Sequence, residues 1–335
     1  MIQSKGMKND HAIAIAFAAN HSFVPYFAAC LQSLLTHSSS ENRYDLVLLH
    51  TDITREDQKW LLEMTIPYPN ASLRFYDVKP LICHYNLKAT GHISVETYFR
   101  FLIQEIMPEY DKVLYLYSDM IINADVAALY QTDVEGYLLA AVRDPEFLGH
   151  LHGANRRIQR YILGTLKLNN PQDYFQAGVI LFNTKELRKT YTIGQWLSFS
   201  SEPYMYNDQD VLNLYCQGRA KILDMSWNVL TDCNHTRISQ VIAYAPESIQ
   251  MEYFEARRNP RIIHYAGYRK PWQNPSEDMG EYFWHVARTT PFYEVVLRNM
   301  VQYTVMEKRR DQSLYGWLRR LAKRIIKGRR KSIVV

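Results

Sequence analysis

Apolar runs and helix-spaced apolar positions take turns through the first third of the chain. Ala12–Ala18 (AIAIAFA) is an unbroken apolar run that stops at Asn20, His21 and Ser22, as a strand buried on both faces reads. Pro25 then opens a stretch in which Phe27, Leu31, Leu34 and Leu35 fall on one helical face; proline is tolerated in a first turn. Residues 44–50 (YDLVLLH) predict a second strand. Thr54 precedes Asp57 at the spacing of a capping box, which predicts a helix over 54–64. A third strand over 72–78, a helix over 94–106 and a fourth strand over 113–117 complete the series. Strand and helix in strict alternation predict an α/β fold, a mostly parallel central sheet with helices on both faces. Such sheets bind ligands beyond the carboxyl ends of their strands. Asn20 and Asp119 both fall just past such ends.

The second half is less regular. Residues 138–142 and 178–182 are strand-like, and the second feeds a helix from Thr184. Residues 208–216 predict a helix that opens with acids, as helix N-termini prefer. Residues 261–264 form a short strand followed by Gly267 and Pro271. No internal repeat or low-complexity linker divides the chain. We therefore expect one domain over 10–285 and a helical C-terminal region over 286–335.

That last region changes the picture of charge. The 335 residues carry a net +5. From Lys308 onward there are eleven Lys and Arg against the single acid Asp311, so the rest of the chain is net −5, with 28 basic against 33 acidic residues. A bulk argument for nucleic acid from pI is thereby removed, and no nucleic-acid partner is expected. Leu314, Trp317, Leu318, Leu321 and Ile325 recur at helical spacing, and Arg319, Arg320, Lys323, Arg324 and Lys327 fill the other faces. The pattern suits a helix lying on an anionic membrane surface through residues 308–331, with Trp317 at the interface. An exposed charged helix or a disordered basic tail carries the same pattern. The apolar content of 47% and charged content of 22% are those of a globular protein. Four scattered Cys without a CxxC pair argue against a zinc site or a disulfide framework and suit a reducing compartment. No signal peptide is recognised and no run of 18 apolar residues occurs, so nothing is expected to span a membrane.

Candidate chemistry is sparse when taken piece by piece. Neither GxGxxG nor GxxxxGK[ST] is present, which disfavours dinucleotide oxidoreductases and P-loop enzymes. The stretch VLYLYSDMIINADV, residues 113–126, ends a strand in a turn with Asp119 and Asp125. Hard dications take oxygen ligands, so this is either half of a metal site or a solvated turn. His264 reads equally as a structural histidine, and Asp208-Gln209-Asp210 as a helix cap.

Together these pieces resemble glycosyltransferase family 8, a nucleotide-sugar-dependent family with the GT-A type nucleotide-diphospho-sugar transferase fold. Its pattern contains YLDxDxxV, then NAGV, DQDxxN and a late HYxGxxKPW. This chain has Tyr115-Leu116-Tyr117-Ser118-Asp119, Gln176-Ala177-Gly178-Val179, Asp208-Gln209-Asp210-Val211-Leu212-Asn213, and His264-Tyr265-Ala266-Gly267-Tyr268-Arg269-Lys270-Pro271-Trp272. Thr97-Tyr98-x-Arg100 and Phe17-Ala18-Ala19-Asn20 also sit where the family keeps similar residues. The resemblance covers roughly residues 12–284 and is nearest in style to bacterial transferases that extend lipopolysaccharide or lipooligosaccharide.

The resemblance implies a UDP-hexose donor, retained anomeric configuration, and Mn2+ or Mg2+ bridging the diphosphate. It assigns Asp119 and His264 as metal ligands, and Lys270 and Gly267 as diphosphate contacts. Arg100 reaches a phosphate or sugar hydroxyl. Ala18, Asn20 and Phe23 line the uridine pocket, and Ser118 belongs to the donor site. Asp144, Gln176 and Ala177 line the sugar pocket. Asp208 holds sugar hydroxyls, and Gln209 lies by the anomeric carbon. A neutral amide is a poor nucleophile, so front-face attack by the acceptor is expected, with metal-assisted departure of UDP. The implied acceptor is a glycolipid or oligosaccharide, and the implied location is cytoplasmic, peripheral on the inner face of a bacterial plasma membrane. Two positions depart from the pattern. Gln176 is one methylene longer than the family's Asn. Tyr117 replaces the first acid of YLDxD, and a neutral phenol is a poor ligand for a hard dication. The alternative is thus a degenerate member, weakly metal-binding or non-catalytic, that still holds a nucleotide sugar.

Overall fold

The computed structural model describes residues 12–85 and 94–312. Strands β1 (Ala12–Ala18), β2 (Arg43–His50), β3 (Ala71–Asp77) and β4 (Val113–Leu116) are parallel neighbours, in the order β3-β2-β1-β4. The expected strand–helix alternation is present. Helix Val24–His37 carries Pro25 in its first turn. Helix Arg55–Thr65 is closed by Thr54 and Asp57 in a full capping box.

Beyond β4 the chain follows rules the periodicity does not carry. A short strand β5 (Met120–Ile122) leaves the main sheet. Strands β6 (Leu139–Arg143), β7 (Phe175–Phe182) and β8 (Ala220–Leu223) extend that sheet in the order β4-β7-β6-β8. β7 runs antiparallel to both β4 and β6, and β6 pairs parallel with β8. The seven-stranded sheet is therefore mixed at its centre. All eight residues of β7 are buried, and a strand covered on both faces has no alternation to betray its direction. Strands β9 (Val229–Leu230) and β10 (Ile262–His264) join β5 in a second, three-stranded sheet. The stretch expected as a helix over 94–106 is instead a tight 3-10 helix, Val95–Leu102, continued by one α-turn, Ile103–Ile106.

Two apolar cores fill the faces of the large sheet. One gathers Phe17, Leu31, Leu48, Leu116 and Leu181, and the other Ala16, Phe99, Tyr115, Ile180 and Trp196. A third cluster joins Ala29, Ile263, Tyr265, Trp272 and Trp284 to Val296 on helix Tyr293–Gln312. That helix is tied further to Tyr26, whose hydroxyl accepts from Asn299 Nδ2 at 3.2 Å. No helix among the described residues is long and apolar enough to cross a membrane. The apolar stripe from Leu314 to Ile325, and most of the basic tail, lie outside the described residues.

Candidate active site

A cavity of about 460 Å³ opens where β1 and β4 end and β10 meets them. Among the residues expected at the site, Ala18, Asn20, Phe23, Ser118, Asp119, Asp144, Gln176, Asp208, Gln209, His264, Gly267 and Lys270 all line it. Residues far apart in the chain meet because three strand ends point at one place. The Asp119 carbonyl accepts from Tyr265 N at 3.0 Å, and the Tyr117 N–H donates to Gly178 O at 2.9 Å.

Part of the lining is an ion cluster. Lys270 Nζ is 2.6 Å from Asp119 Oδ2 and also donates to Tyr265 O at 2.6 Å. His264 Nε2 faces the other oxygen, Asp119 Oδ1, at 3.4 Å. Burial opposes ionisation of Asp119, but the Lys270 ammonium holds its carboxyl well below the usual range. Burial pushes the His264 imidazole the opposite way, below its ordinary value. An oxygen and a nitrogen at this spacing could both serve one dication.

The residues fit a two-ligand seat and no more. Tyr117 does not turn toward Asp119. Its hydroxyl lies 3.3 Å from Thr97 Oγ1 and 3.5 Å from Asp208 Oδ2, and its ring stands edge-on to His264 at 5.4 Å. Burial raises the phenol well above its ordinary value. Among the described residues no three acids, histidines or cysteines gather to hold a metal.

Helix Asp208–Tyr215 gives each of the four fixed residues of DQDxxN a task. Asp208 is 1% exposed and pairs with Arg100 Nε at 3.0 Å, with Thr97 Oγ1 donating to its second oxygen. Burial raises the Asp208 carboxyl, and Arg100 opposes that. Gln209 Oε1 accepts from Ala177 N at 3.0 Å, and Gln209 Nε2 donates to Asp144 Oδ2 at 2.9 Å. Asp210 accepts from the hydroxyls of Tyr161 and Tyr174 at 2.7 and 2.6 Å. Asn213 brackets Phe175 at the start of β7, accepting from its N–H and donating to its carbonyl at 2.9 Å each. The first two residues serve the cavity, and the last two hold helix to sheet.

Two expected donor contacts lie elsewhere. Arg100 does not line the cavity. It sits beneath the floor, 2% exposed, with its guanidinium 4.4 and 4.6 Å from the Tyr115 and Tyr117 ring centres. A buried cation needs a buried anion, and Asp208 supplies it. Ala177 is fully buried in β7, where its N–H donates to Gln209 and its carbonyl accepts from Arg100. Ser118 lines the cavity while its hydroxyl donates to Ala18 O at 2.8 Å. Asn20 caps the short turn His21–Phe23 by accepting from Phe23 N, and Phe23 packs edge-on against Trp272 at 5.6 Å. Gly267 has φ +105°, and a Cβ there would lie 2.8 Å from Cys233 Sγ, so this turn needs glycine.

Sequence reasoning missed Glu146, Arg237, Asn228 and Tyr206. Arg237 pairs with Glu146 at 2.8 Å and donates to Ala266 O at 2.9 Å, bracing the wall of the cavity. Asn228 lies 2.9 Å from His264 Nδ1. Only Glu146 had a local signal, as the acid in the first turn of the helix that Asp144 caps.

Asp144 carries a pH prediction. Burial and then the neighbouring Glu146 push its carboxyl up to about 6, against the amide of Gln209 and the N–H of Phe147. A raised acid favours the folded state at low pH. Its contribution is complete below the ordinary aspartate range and is lost as pH rises through about 6. Asp144→Asn should remove this loss of stability between about pH 4 and about pH 7, read by urea unfolding, and a pH profile of stability identical to wild type would exclude Asp144 as its source.

The sequence profile described as glycosyl transferase family 8 matches residues 14–275. A lipopolysaccharide 1,2-glucosyltransferase of Escherichia coli (strain K12) is 25% identical over 224 residues, covering 64% of this chain and 57% of that protein. Among solved structures, the apo form of the bifunctional glycosyltransferase WbbM superposes with a TM-score of 0.80 at 27% identity, over 88% of this chain and 53% of that one. The galactosyltransferase LgtC, solved with donor and acceptor sugar analogues, has a TM-score of 0.66 at 22% identity, over 83% of this chain and 96% of that one. The mixed sheet, the cavity at its strand ends and the profile match over most of the chain agree: this chain belongs to glycosyltransferase family 8, with a GT-A type fold.

Proposed function

We propose that the chain transfers a hexose, glucose or galactose, from its UDP-sugar to a glycolipid or surface-glycan acceptor of lipopolysaccharide type, with retention at the anomeric carbon. The observation that carries this reading is that two side-chain clusters of different character line the cavity. Lys270 and His264 gather on Asp119, and Gln209 bonds Asp144 beside Asp208. A diphosphate suits the first cluster and a sugar the second. Lys270 has the charge to meet a phosphate oxygen once it leaves Asp119. A Mn2+ or Mg2+ held by Asp119 and His264 would supply Lewis-acid neutralisation of the departing diphosphate.

Gln209 argues for front-face attack. Both ends of its amide are engaged, and its oxygen already accepts from the Ala177 N–H. That bond weakens a nucleophile that is poor to begin with. The acceptor hydroxyl therefore bonds to the anomeric carbon on the face from which UDP leaves. The bond to the phosphate oxygen breaks, and the hydroxyl proton passes to the departing phosphate. Asp144 and Asp208 hold sugar hydroxyls, and the Gln209–Asp144 bond sets the shape of that cluster.

The Lys270–Asp119 contact favours a second reading, in which the ammonium replaces the metal and the chain works without a dication or only binds. Isothermal titration of UDP with and without Mn2+, on wild type and Tyr117→Asp, separates the two. Mn2+ should tighten UDP binding in wild type, and more so in the variant. A response in the variant alone would mean that the pocket is kept and the metal lost.

The C-terminal region from residue 286, carrying the basic stripe, is proposed to hold the chain against the cytoplasmic face of an anionic membrane, where a lipid-linked acceptor lies. A chain ending at Met306 should keep the fold and lose binding to phosphatidylglycerol-containing vesicles. Undiminished vesicle binding would sink the anchor.

A further inference from the structure

The hydrogen-bond donors and acceptors behind His264 form an unbroken chain that begins at a backbone N–H. Gly178 N, which can only donate, lies 2.5 Å from the Gln176 side-chain oxygen. An amide nitrogen in that place would set two donors against each other, so the orientation of Gln176 is fixed. The same Oε1 lies 2.7 Å from the terminal amide of Asn228, which must therefore present its NH2 there. The Asn228 oxygen is then the atom 2.9 Å from His264 Nδ1. An amide oxygen only accepts, so Nδ1 carries the imidazole proton. In the neutral ring the other nitrogen, Nε2, is bare, and it is Nε2 that faces Asp119 Oδ1 at 3.4 Å. Two bare acceptors face each other, an arrangement that a cation relieves.

Packing holds this arrangement in place. Asn228 and His264 are each 1% exposed. Gly178 has no side chain to spare: a Cβ there would lie 2.5 Å from His264 Cε1 and 2.8 Å from Gln176 Oε1. Gln176 and the histidine ring can share that space only over a glycine. The departure from the family's Asn at this position thereby gains a task. The longer side chain folds back to its own strand at Gly178 and still reaches Asn228.

We propose that Gln176 and Asn228 are positioning residues that lock His264 in the Nδ1–H tautomer and so present a bare Nε2 beside Asp119 to a divalent cation. The cation rests on the proposed function, but the tautomer does not. Partners behind a metal-binding histidine typically alter affinity by about 10- to 100-fold.

The ring nitrogens of His264 report the lock directly. In 15N-histidine-labelled, metal-free wild type at about pH 8, above the ordinary imidazole range, the Nε2 signal should be that of an unprotonated nitrogen. Gln176→Leu should give a mixture of tautomers and weaken Mn2+ binding to the UDP complex, read by electron paramagnetic resonance, by about 10-fold or more. Asn228→Asp added to that variant supplies an acceptor that needs no orienting, and the bare Nε2 signal should return. A proton on Nε2 in wild type overturns the proposal, as does a Gln176→Leu protein with wild-type tautomer and Mn2+ affinity. If Gln176→Leu does not fold, the wild-type spectrum alone decides. Absence of any Mn2+ response in wild type would fail the metal reading and leave the spectrum to decide the lock.

Discussion

Asp119→Asn should fold normally and transfer sugar on the order of 10³-fold more slowly, the scale on which a single preorganised electrostatic group acts in catalysis. The change keeps shape and removes charge. Asp119 is the acid that both Lys270, at 2.6 Å, and His264, at 3.4 Å, address. Losing it removes the anionic ligand of the proposed metal seat and leaves His264 alone. Lys270 would be released, so UDP binding without metal should weaken little or even improve. Single-turnover transfer from labelled UDP-glucose or UDP-galactose, alongside UDP titrations, checks both arms. A variant within 10-fold of wild type in transfer would remove Asp119 from the chemistry and favour Lys270 acting without a dication.

Arg100→Ala should cost about 3–5 kcal/mol of stability, the scale for breaking one side of a buried ion pair. Arg100 and Asp208 are 2% and 1% exposed, so solvent does little to screen them. Removal of the guanidinium leaves a buried carboxylate and strips the stacking against Tyr115 and Tyr117. Burial already raises the Asp208 carboxyl with Arg100 opposing it, and without Arg100 it rises further. A raised acid is stabilising below its ordinary range and loses that contribution as pH rises through the folded value. The deficit of Arg100→Ala should therefore shrink toward acid pH. Urea unfolding at about pH 5 and pH 8 measures it. A deficit below about 1 kcal/mol at pH 8 would mean that Asp208 finds another partner or water. Asp208→Asn keeps an acceptor for Thr97 but leaves the Arg100 guanidinium buried without an anion, so it should lose stability on a similar scale, and activity with it.

These two residues also divide what was legible from what was not. Asp119 was readable as a carboxylate past a strand end, and His264 and Lys270 as parts of one late motif. Arg100 was readable as a motif residue, but its place was not. A motif says which residue types accompany a chemistry. It does not say whether a given cation meets the ligand or supports the acid that does. Tyr117 is similar: the substitution was plain, and its orientation away from Asp119 was not. Asn228 had no motif near it. Its value comes from lying between Gln176 and His264, which are 52 and 36 residues from it in the chain.

The sequence by itself determined the first four strands, the capping box at Thr54, the helix at DQDxxN and the family. Those features are local, set by burial period, by caps and by residue order. Tertiary structure alone decided that β7 runs antiparallel through the middle of the sheet, because a strand buried on both faces reads the same in either direction. It alone built the second sheet from β5, β9 and β10. It alone set Lys270 against Asp119 across 151 residues, since the partner of a buried charge is chosen by which chain ends the folded sheet brings together, and no periodicity encodes that choice.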